Sequence, residues 1–336
     1  MRTRAIRIFT LLIFSCLAGC TPDQAGQEAT LPDTLSPASS PLAQAPPSPQ
    51  NEPSFPAFQA AGPAYELVFS LPVGESGAEY KGAGIPDATI EGPSALGVFS
   101  DGTFAIADPA CMCLLRFSPG GELLNYISLA SVNIHMLSDM AALGEDFLVL
   151  EAGFGPVPEI YRVYRISPEG KLRDSFDLPG WARLETGLSG IHTWPGGEVL
   201  LEMEGGSKSY LLMNAAGMQM AGQEVSGYVL SPQASGELVW KDPAGPRVYT
   251  IRSEFTYANG ALSILSANLD GSFFVLRTDV VDDSIIQVDQ TIHWLDPDGA
   301  QLGLARFPLA ESYYYVNSSL AVGPDASVYA LIPRPE

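Results

Sequence analysis

Cys111 and Cys113 stand one residue apart in the stretch DPACMCLL. An exported chain can oxidise such a pair, but a one-residue gap closes a tight ring, and strained disulfides are the more easily reduced kind. Three interpretations stay open: a disulfide, a functional redox or metal-binding pair, and two small buried residues. Because no histidines cluster with the two thiols, they make a poor zinc site.

Asp279, Asp282 and Asp283 form a second group with chemical potential, in the stretch TDVVDDS. Three carboxylates within five residues, together with backbone carbonyls, are ligands that Ca²⁺ accepts. The run lacks the glycine and the spaced oxygen ligands of a calcium loop, which favours a solvated loop. We therefore expect no cofactor, and calcium at these three residues is the alternative.

The chain has three histidines, His135, His192 and His293, and no metal-ligand spacing relates them. The sequence also lacks a Gly-x-Ser-x-Gly elbow, a phosphate-binding glycine loop and a His-Glu-x-x-His motif. No catalytic residue can be assigned from these patterns. His192 stands near the start of the predicted innermost strand GIHTW, and it is a candidate ligand-binding residue that faces the central channel, with a structural histidine as the alternative.

Three consecutive tyrosines, Tyr313, Tyr314 and Tyr315, stand just before the last apolar run. Tyrosines in a surface loop suit a carbohydrate or protein partner, because each ring combines a large apolar face with a hydroxyl. The alternative interpretation is that their rings fill a gap in the core.

A similar turn sequence occurs three times, as FSPGGEL at 117–123, ISPEGKL at 166–172 and LDPDGAQL at 295–302. Ser or Asp, then Pro, then Gly at the fourth position is the composition of a type I β-turn. Apolar runs flank each copy, so each copy predicts a β-hairpin. The spacings of 49 and 129 residues are close to one and three periods in the forties, which a propeller blade of four short strands requires.

A second, more degenerate hairpin series begins near residues 95, 139, 190, 228, 262 and 318. Its second strands are nearly continuous apolar runs, such as 147–150, 273–276 and 328–331. A sheet with one wet face alternates, so continuous runs predict cover on both faces. We therefore expect an all-β, six-bladed β-propeller over 64–336, in which the lone strand at 65–72 pairs with the C-terminal strands and closes the ring. The blade around 227–260 lacks a clear fourth strand.

The first of these repeats resembles a known family. The stretch GPSALGVFSDGTFAIADPACMCLLRFSPGGELL follows the outline of NHL repeats, with Pro93, Asp101-Gly102, Asp108, Arg116 and Gly121 near the positions that are usual in the family. PACMC replaces the usual polar stretch, and later repeats keep only the turn and the apolar spacing. The resemblance implies a six-bladed propeller that binds a protein, nucleic acid or small molecule, with lyases as a minority.

The N-terminus predicts export and lipidation. Arg2, Arg4 and Arg7 precede the apolar segment 8–18, which is short for a membrane span. LAGC at 17–20 then resembles the bacterial lipobox, which implies a signal peptide over 1–19 and a diacylglycerol on Cys20. Several acyl chains hold a protein stably at a membrane surface. The expected location is outside the cytoplasm, anchored to the cell membrane or the outer membrane.

Residues 20–63 predict a disordered linker. Ten of the forty-three residues from 21 to 63 are proline, and none is Lys or Arg. Such a composition cannot bury enough apolar surface to offset the entropy of ordering. The whole chain has a formal charge of −21, which becomes −24 without the leader, because the leader carries three arginines and no acid. That charge argues against nucleic acid as a partner.

These patterns favour a membrane-anchored propeller that acts as a binding or scaffolding module for a protein or a small molecule. The alternative is a propeller-type lyase or lactonase with a metal at the mouth of the channel. Carboxylates and histidines converging there would favour catalysis, whereas an apolar or aromatic rim would favour a partner.

Limited proteolysis tests the predicted division of the chain. We expect a protease to cut rapidly between 21 and 63 and to leave a resistant core that begins near residue 64, because an unfolded linker fits a protease cleft. Mass spectrometry of the fragments locates the cuts. Early cuts scattered through 64–336 would contradict the prediction.

Overall fold

The described part of the chain is built almost entirely from β-strands. The computed structural model describes residues 8–15, 66–72, 74, 78–81, 92–153, 160–180, 182, 187–231, 235–243, 245–257, 259–282, 287–307 and 319–335. The chain divides into two units, Met1–Cys16 with Gly62–Glu336, and Leu17–Ala61, and the second unit lies outside the described residues. No helix in the described ranges is long and apolar enough to cross a membrane.

The described strands form five sheets. Four of them are numbered in chain order, and the fifth is called the closing sheet. The first contains β3 (Ala95–Val98), β4 (Phe104–Asp108), β5 (Cys113–Phe117) and β6 (Leu123–Ser128); the second contains β7 (Asp139–Leu143), β8 (Asp146–Gly153), β9 (Ile160–Ile166) and β10 (Leu172–Asp177). The third contains β11 (Leu188–Thr193), β12 (Val199–Met203), β13 (Lys208–Met213), β14 (Gln219–Leu230), β15 (Ser235–Lys241) and β16 (Val248–Glu254). The fourth contains β17 (Asn259–Ala267), β18 (Phe273–Asp282), β19 (Gln287–Leu295) and β20 (Gln301–Arg306); the closing sheet contains β2 (Glu66–Pro72), β1 (Ile8–Ser15), β22 (Val328–Pro335) and β21 (Leu320–Val322) in that spatial order.

The five sheets follow one another around a ring, as in a propeller. A separate apolar cluster joins each sheet to the next, and the fifth cluster joins the closing sheet to the first. Aromatic pairs mark these interfaces, because large rings bury the most area per residue. Phe99 meets Phe147 edge to face at 5.0 Å between the first two sheets, and Phe69 meets Phe104 at 5.3 Å where the ring closes.

The repeated turns form the hairpins that the sequence predicts. Gly121, Gly170 and Gly299 each donate their backbone N–H to the carbonyl of the Ser or Asp three residues earlier, at 2.9–3.0 Å. All three have φ of 79–85°, a conformation that is cheap only for glycine. The turns join the third strand of a sheet to its fourth, in the first, second and fourth sheets.

The expectation that the second strands are covered on both faces is also confirmed. Every residue of β4 is buried, and Phe147 to Leu150 of β8 are at most 1% exposed. The outer strands β6 and β10 are mostly exposed by contrast. Burial is therefore greatest on second strands such as β4 and β8 and decreases from them to the rim, which is why the second strands need continuous apolar runs.

The prediction of six separate sheets is wrong for the described residues, which form five. The hairpin near 228, interpreted as its own blade, belongs to the third sheet. Strand β14 continues for twelve residues, and its residues Ser226 and Gly227 pair with β13 on one side and with β15 on the other. Because no break interrupts β14, backbone pairing continues from β13 through β14 and β15 to β16.

The predicted closure of the ring needs a second correction. Strands β2 and β22 share the closing sheet, but they do not pair directly, because β1 lies between them, parallel to both. The described part of the C-terminal segment, 319–335, supplies β21 and β22, and N-terminal strands occupy the other two positions of the sheet. The apolar segment 8–15, predicted as part of the export signal, occupies the inner of these two positions in the full-length chain.

A buried carboxylate organises the turn between β4 and β5. Asp108 is fully buried, and its two oxygens accept the backbone N–H groups of Glu79 at 2.7 Å and Ala110 at 2.9 Å. Cys111 and Cys113 form a disulfide in the same turn, which is the first of the three interpretations left open for this pair. Burial raises the pKa of Asp108 to about 6. The two backbone N–H donors lower this pKa, but they offset only part of the effect of burial.

This pKa gives a prediction for stability against pH. Because the folded-state pKa of Asp108 exceeds its unfolded value of 3.8, its contribution is fully present below pH 4 and is lost as pH rises through 6. In urea unfolding, the wild type should gain roughly 2 kcal/mol relative to Asp108→Asn between pH 7 and pH 4. The difference between the two proteins cancels the other titrating groups, so a pH-independent difference would contradict the assignment.

Candidate functional site

The inner strands surround a cavity of about 500 Å³. Strands β3, β7, β11, β17 and β21 contribute to its lining, together with residues of neighbouring strands. A cavity of this volume is in the range that holds a small organic molecule. The lining combines apolar side chains with hydroxyls and an amide, among them Val98, Ala142, Leu265, Leu276, Val322, Thr193, Ser263, Thr278, Ser319 and Gln290.

One histidine and one glutamate are the ionisable side chains in this lining. His192 on β11 places Nδ1 3.0 Å from Oε1 of Glu202 on β12, and the two side chains are only 17% and 23% exposed. Neither ring nitrogen of His192 has an aligned hydrogen-bond partner among the described residues. His192 thus lies in the lining of the cavity, and its role as a ligand-binding residue stays a prediction.

A glycine makes room for the carboxylates beside His192. Gly190 pairs with Glu202 across β11 and β12, and a Cβ on Gly190 would lie 2.5 Å from Oδ2 of Asp139 and 3.2 Å from Oε2 of Glu202. Asp139 is buried, and Oδ2 accepts the N–H of Ile191 at 2.8 Å. Because Asp139 starts β7 and Ile191 belongs to β11, this hydrogen bond holds the second sheet against the third.

The other two histidines lie elsewhere, in agreement with the sequence. His135 precedes β7, and its backbone N–H donates to Glu151 at 2.8 Å. His293 on β19 lies 3.1 Å from Oγ1 of Thr291, and burial lowers the pKa of its ring. No group of three His, Cys, Asp or Glu side chains suited to a metal ion occurs within the described ranges.

The first aspartate of the proposed calcium group is engaged in an ion pair. Oδ2 of Asp279 lies 3.0 Å from Nε of Arg277, and both side chains are largely buried. Burial raises the pKa of Asp279, and the Arg277 guanidinium opposes that rise. Asp282 ends β18, but its side chain, like the whole of Asp283, lies outside the described residues.

Four further candidate residues also fall outside the described residues. Tyr313, Tyr314 and Tyr315 lie between 307 and 319, and Cys20 lies between 15 and 66. Their roles therefore stay predictions from the sequence.

Sequence reasoning missed Glu202 and the buried carboxylates Asp139 and Glu151. Glu151 accepts backbone N–H groups from His135 and Met136, and its Oε2 accepts the hydroxyl of Tyr164 at 2.5 Å. A signal for two of them was present, because Glu151 and Glu202 each interrupt an apolar run, FLVLEAG and EVLLEMEG. An acid inside a buried strand must find donors or a charge partner, and it marks a structural or functional position.

Comparisons with known proteins gave distant similarities to solved structures. No family model matches the chain, and no curated protein matches it. Among solved structures, a streptogramin B lyase shares 13% identity over 75% of this chain and 93% of its own, with a TM-score of 0.39. A member of the DUF4221 family from Bacteroides vulgatus shares 10% identity over 66% and 83%, with a TM-score of 0.41. The WD40 repeats of RRP9 share 10% identity over 69% and 70%, with a TM-score of 0.40.

The division between structural and site carboxylates can be tested by substitution. Asp139→Ala leaves the buried N–H of Ile191 without its acceptor, and it should lower the free energy of unfolding by about 1–3 kcal/mol. Glu202→Gln keeps the shape of a side chain that touches the cavity, and it should change stability by less than about 0.5 kcal/mol. Urea unfolding of both variants checks this, and the reverse order of effects would refute the division.

Proposed function

We propose that this chain is a membrane-anchored, extracytoplasmic propeller that binds a small organic molecule in its central cavity. The observation that carries the proposal is the cavity of about 500 Å³ that the inner strands leave at the centre of the ring. Tightly packed interiors contain few voids larger than a water molecule, so an opening of this size is a built feature of the fold.

The lining favours binding over a merely structural role. Apolar side chains favour burial of the apolar surface of a ligand. The hydroxyls of Thr193, Ser263 and Thr278 supply hydrogen bonds that orient the ligand. Among the described residues that line the cavity, none is Lys or Arg. An anionic ligand would therefore meet Glu202 without a compensating cation, so we expect the ligand to be neutral or cationic.

The sequence supports the location. The basic leader, the apolar segment and LAGC at 17–20 together favour cleavage before Cys20 and lipidation of its sulfur, and this cleavage would remove β1 from its place between β2 and β22 in the uncleaved chain. The proline-rich linker would then hold the ring away from the bilayer. A protein partner at Tyr313–Tyr315 and the NHL resemblance remain parts of the proposal that come from the sequence alone.

A second candidate function is catalysis by a propeller-type lyase or lactonase. The observation that favours it is the His192–Glu202 pair, because a carboxylate that orients an imidazole toward a cavity is a general-base arrangement. This alternative included a metal ion, and the described residues contain no group of three His, Cys, Asp or Glu side chains that could bind one. Binding of a small molecule is common to both candidates.

Blocking the cavity tests the proposal. Ala261 lines the cavity from β17 and is exposed, so Ala261→Trp should fill the cavity without disturbing the core. Native mass spectrometry of protein purified from the membrane fraction should show a small molecule on the wild type, and Ala261→Trp should retain at least tenfold less. If the function is binding, neither the wild type nor His192→Gln should convert the molecule chemically. Conversion by the wild type and not by His192→Gln would favour the enzyme.

Two controls make the outcome decisive. Ala216→Trp places the same bulk in the exposed turn after β13 and should retain the molecule as the wild type does. Cys20→Ser should move the protein out of the membrane fraction and abolish labelling by palmitate. Equal retention by Ala261→Trp and the wild type would refute the cavity as the binding site, and a lipid label that survives Cys20→Ser would refute the anchor.

A further inference from the structure

The disulfide between Cys111 and Cys113 spans a single residue at the tip of the turn between β4 and β5. The two Cα atoms are 5.3 Å apart, within the usual range for a disulfide. Met112 between them has φ of 51°, the left-handed conformation that a non-glycine residue adopts only when its surroundings impose it. The covalent bond thus lies in a backbone turn that is already unusual.

Other interactions hold this turn independently of the disulfide. The N–H of Met112 donates to the carbonyl of Pro109 at 3.2 Å, and Ala110 donates to Asp108 at 2.9 Å. The carbonyl of Met112 accepts the N–H of Leu129 at 2.9 Å. A disulfide that closes so short a loop removes little entropy from the unfolded chain. The bond can therefore open while the first sheet stays folded.

The two sulfurs differ in access. Cys113 is fully buried in the apolar cluster between the closing sheet and the first sheet, whereas Cys111 is only partly buried and packs against that cluster from outside. Thiol–disulfide exchange requires a thiolate to reach the sulfur that it attacks. An external thiol therefore reaches Cys111 and does not reach Cys113.

We propose that Cys111 and Cys113 form a thiol–disulfide exchange site for an external thiol, with Cys111 as the attacked sulfur and Cys113 as the buried resolving sulfur. The thiolate of the external thiol forms a bond to Sγ of Cys111 while the bond between the two cysteines breaks. Its electron pair goes to Sγ of Cys113, which takes up the proton that the external thiol released. Attack by the Cys113 thiolate on the mixed disulfide reverses the step. Alternatively, the thiolate of a second external thiol attacks the external sulfur of the mixed disulfide, which forms a disulfide between the two external thiols and releases Cys111, and Cys111 takes up the proton of the second thiol.

The state of this pair would also affect the segment 78–81. Glu79 donates its N–H to Asp108 at 2.7 Å, and Ala78 and Tyr80 belong to the same apolar cluster as the two cysteines. Because Asp108 and the cysteines share one turn, opening of the disulfide loosens the surface on which this segment docks. The site would thereby couple the thiol balance of its compartment to the order of an N-terminal segment.

Redox titration of the full-length protein tests the proposal. The protein is incubated under native conditions with millimolar reduced glutathione, and free thiols are then alkylated and located by peptide mass spectrometry, which separates Cys111 and Cys113 from Cys16 and Cys20. We expect reduction of the pair in most molecules, a fall in melting temperature of only a few degrees, and faster hydrogen exchange at Glu79. A pair that is reduced only after the protein unfolds would overturn the proposal.

Single-cysteine variants test the asymmetry. Cys113→Ser should trap a mixed disulfide on Cys111 when oxidised glutathione is added. Cys111→Ser should leave Cys113 at least tenfold slower to react under native conditions, and this difference should disappear in urea. Equal rates for the two variants under native conditions would refute the assigned roles. If either variant fails to fold, the mixed disulfide on wild-type protein quenched early in reduction should still map to Cys111, and mapping to Cys113 would refute it.

Discussion

The second strand of each sheet, counted outward from the cavity, is buried on both faces in β4 and β8, and the rest of the structure depends on that constraint. An isolated sheet with strands such as β4 or β8 would expose a complete apolar face to water, at a cost of about 25 cal/mol per Å². The neighbouring sheets remove both faces from water, and five sheets in a ring leave none of the interfaces open. The stability of each sheet is therefore a property of its neighbours as much as of its own sequence.

Buried carboxylates complete the contacts that apolar packing cannot make. Asp108 and Glu151 accept backbone N–H groups from segments that approach the ends of strands, and Asp139 accepts one from the next sheet. Each backbone group would otherwise be left without a partner in a dry environment. The acidic character of the chain is thus partly structural, since some of its carboxylates replace water at the joints between elements.

The same geometry explains why function is to be sought at two places. The ring leaves a cavity where inner strands cannot converge further, and His192 and Glu202 meet there. The second place is the tip of the β4–β5 turn, where a disulfide lies at the surface of an apolar cluster. The cavity suits recognition of a small molecule, and the turn suits covalent exchange, so the two proposals fail or succeed independently.

The sequence by itself determined the strands, the turns and the burial. The Ser/Asp-Pro-x-Gly turns depend on residues that are neighbours along the chain, and continuous apolar runs predict covered strands wherever they occur. Only the tertiary structure decided which strands share a sheet: β14 joins the hairpin near 228 to the third sheet, and β1 separates β2 from β22. Backbone hydrogen bonds are nearly the same for every residue, so a strand's partner is chosen by distant packing. For the same reason the sequence identified His192 as a candidate but not Glu202 and Asp139. The carboxylates of Glu202 and Asp139 lie close together because Gly190 has no side chain and because the second and third sheets meet there.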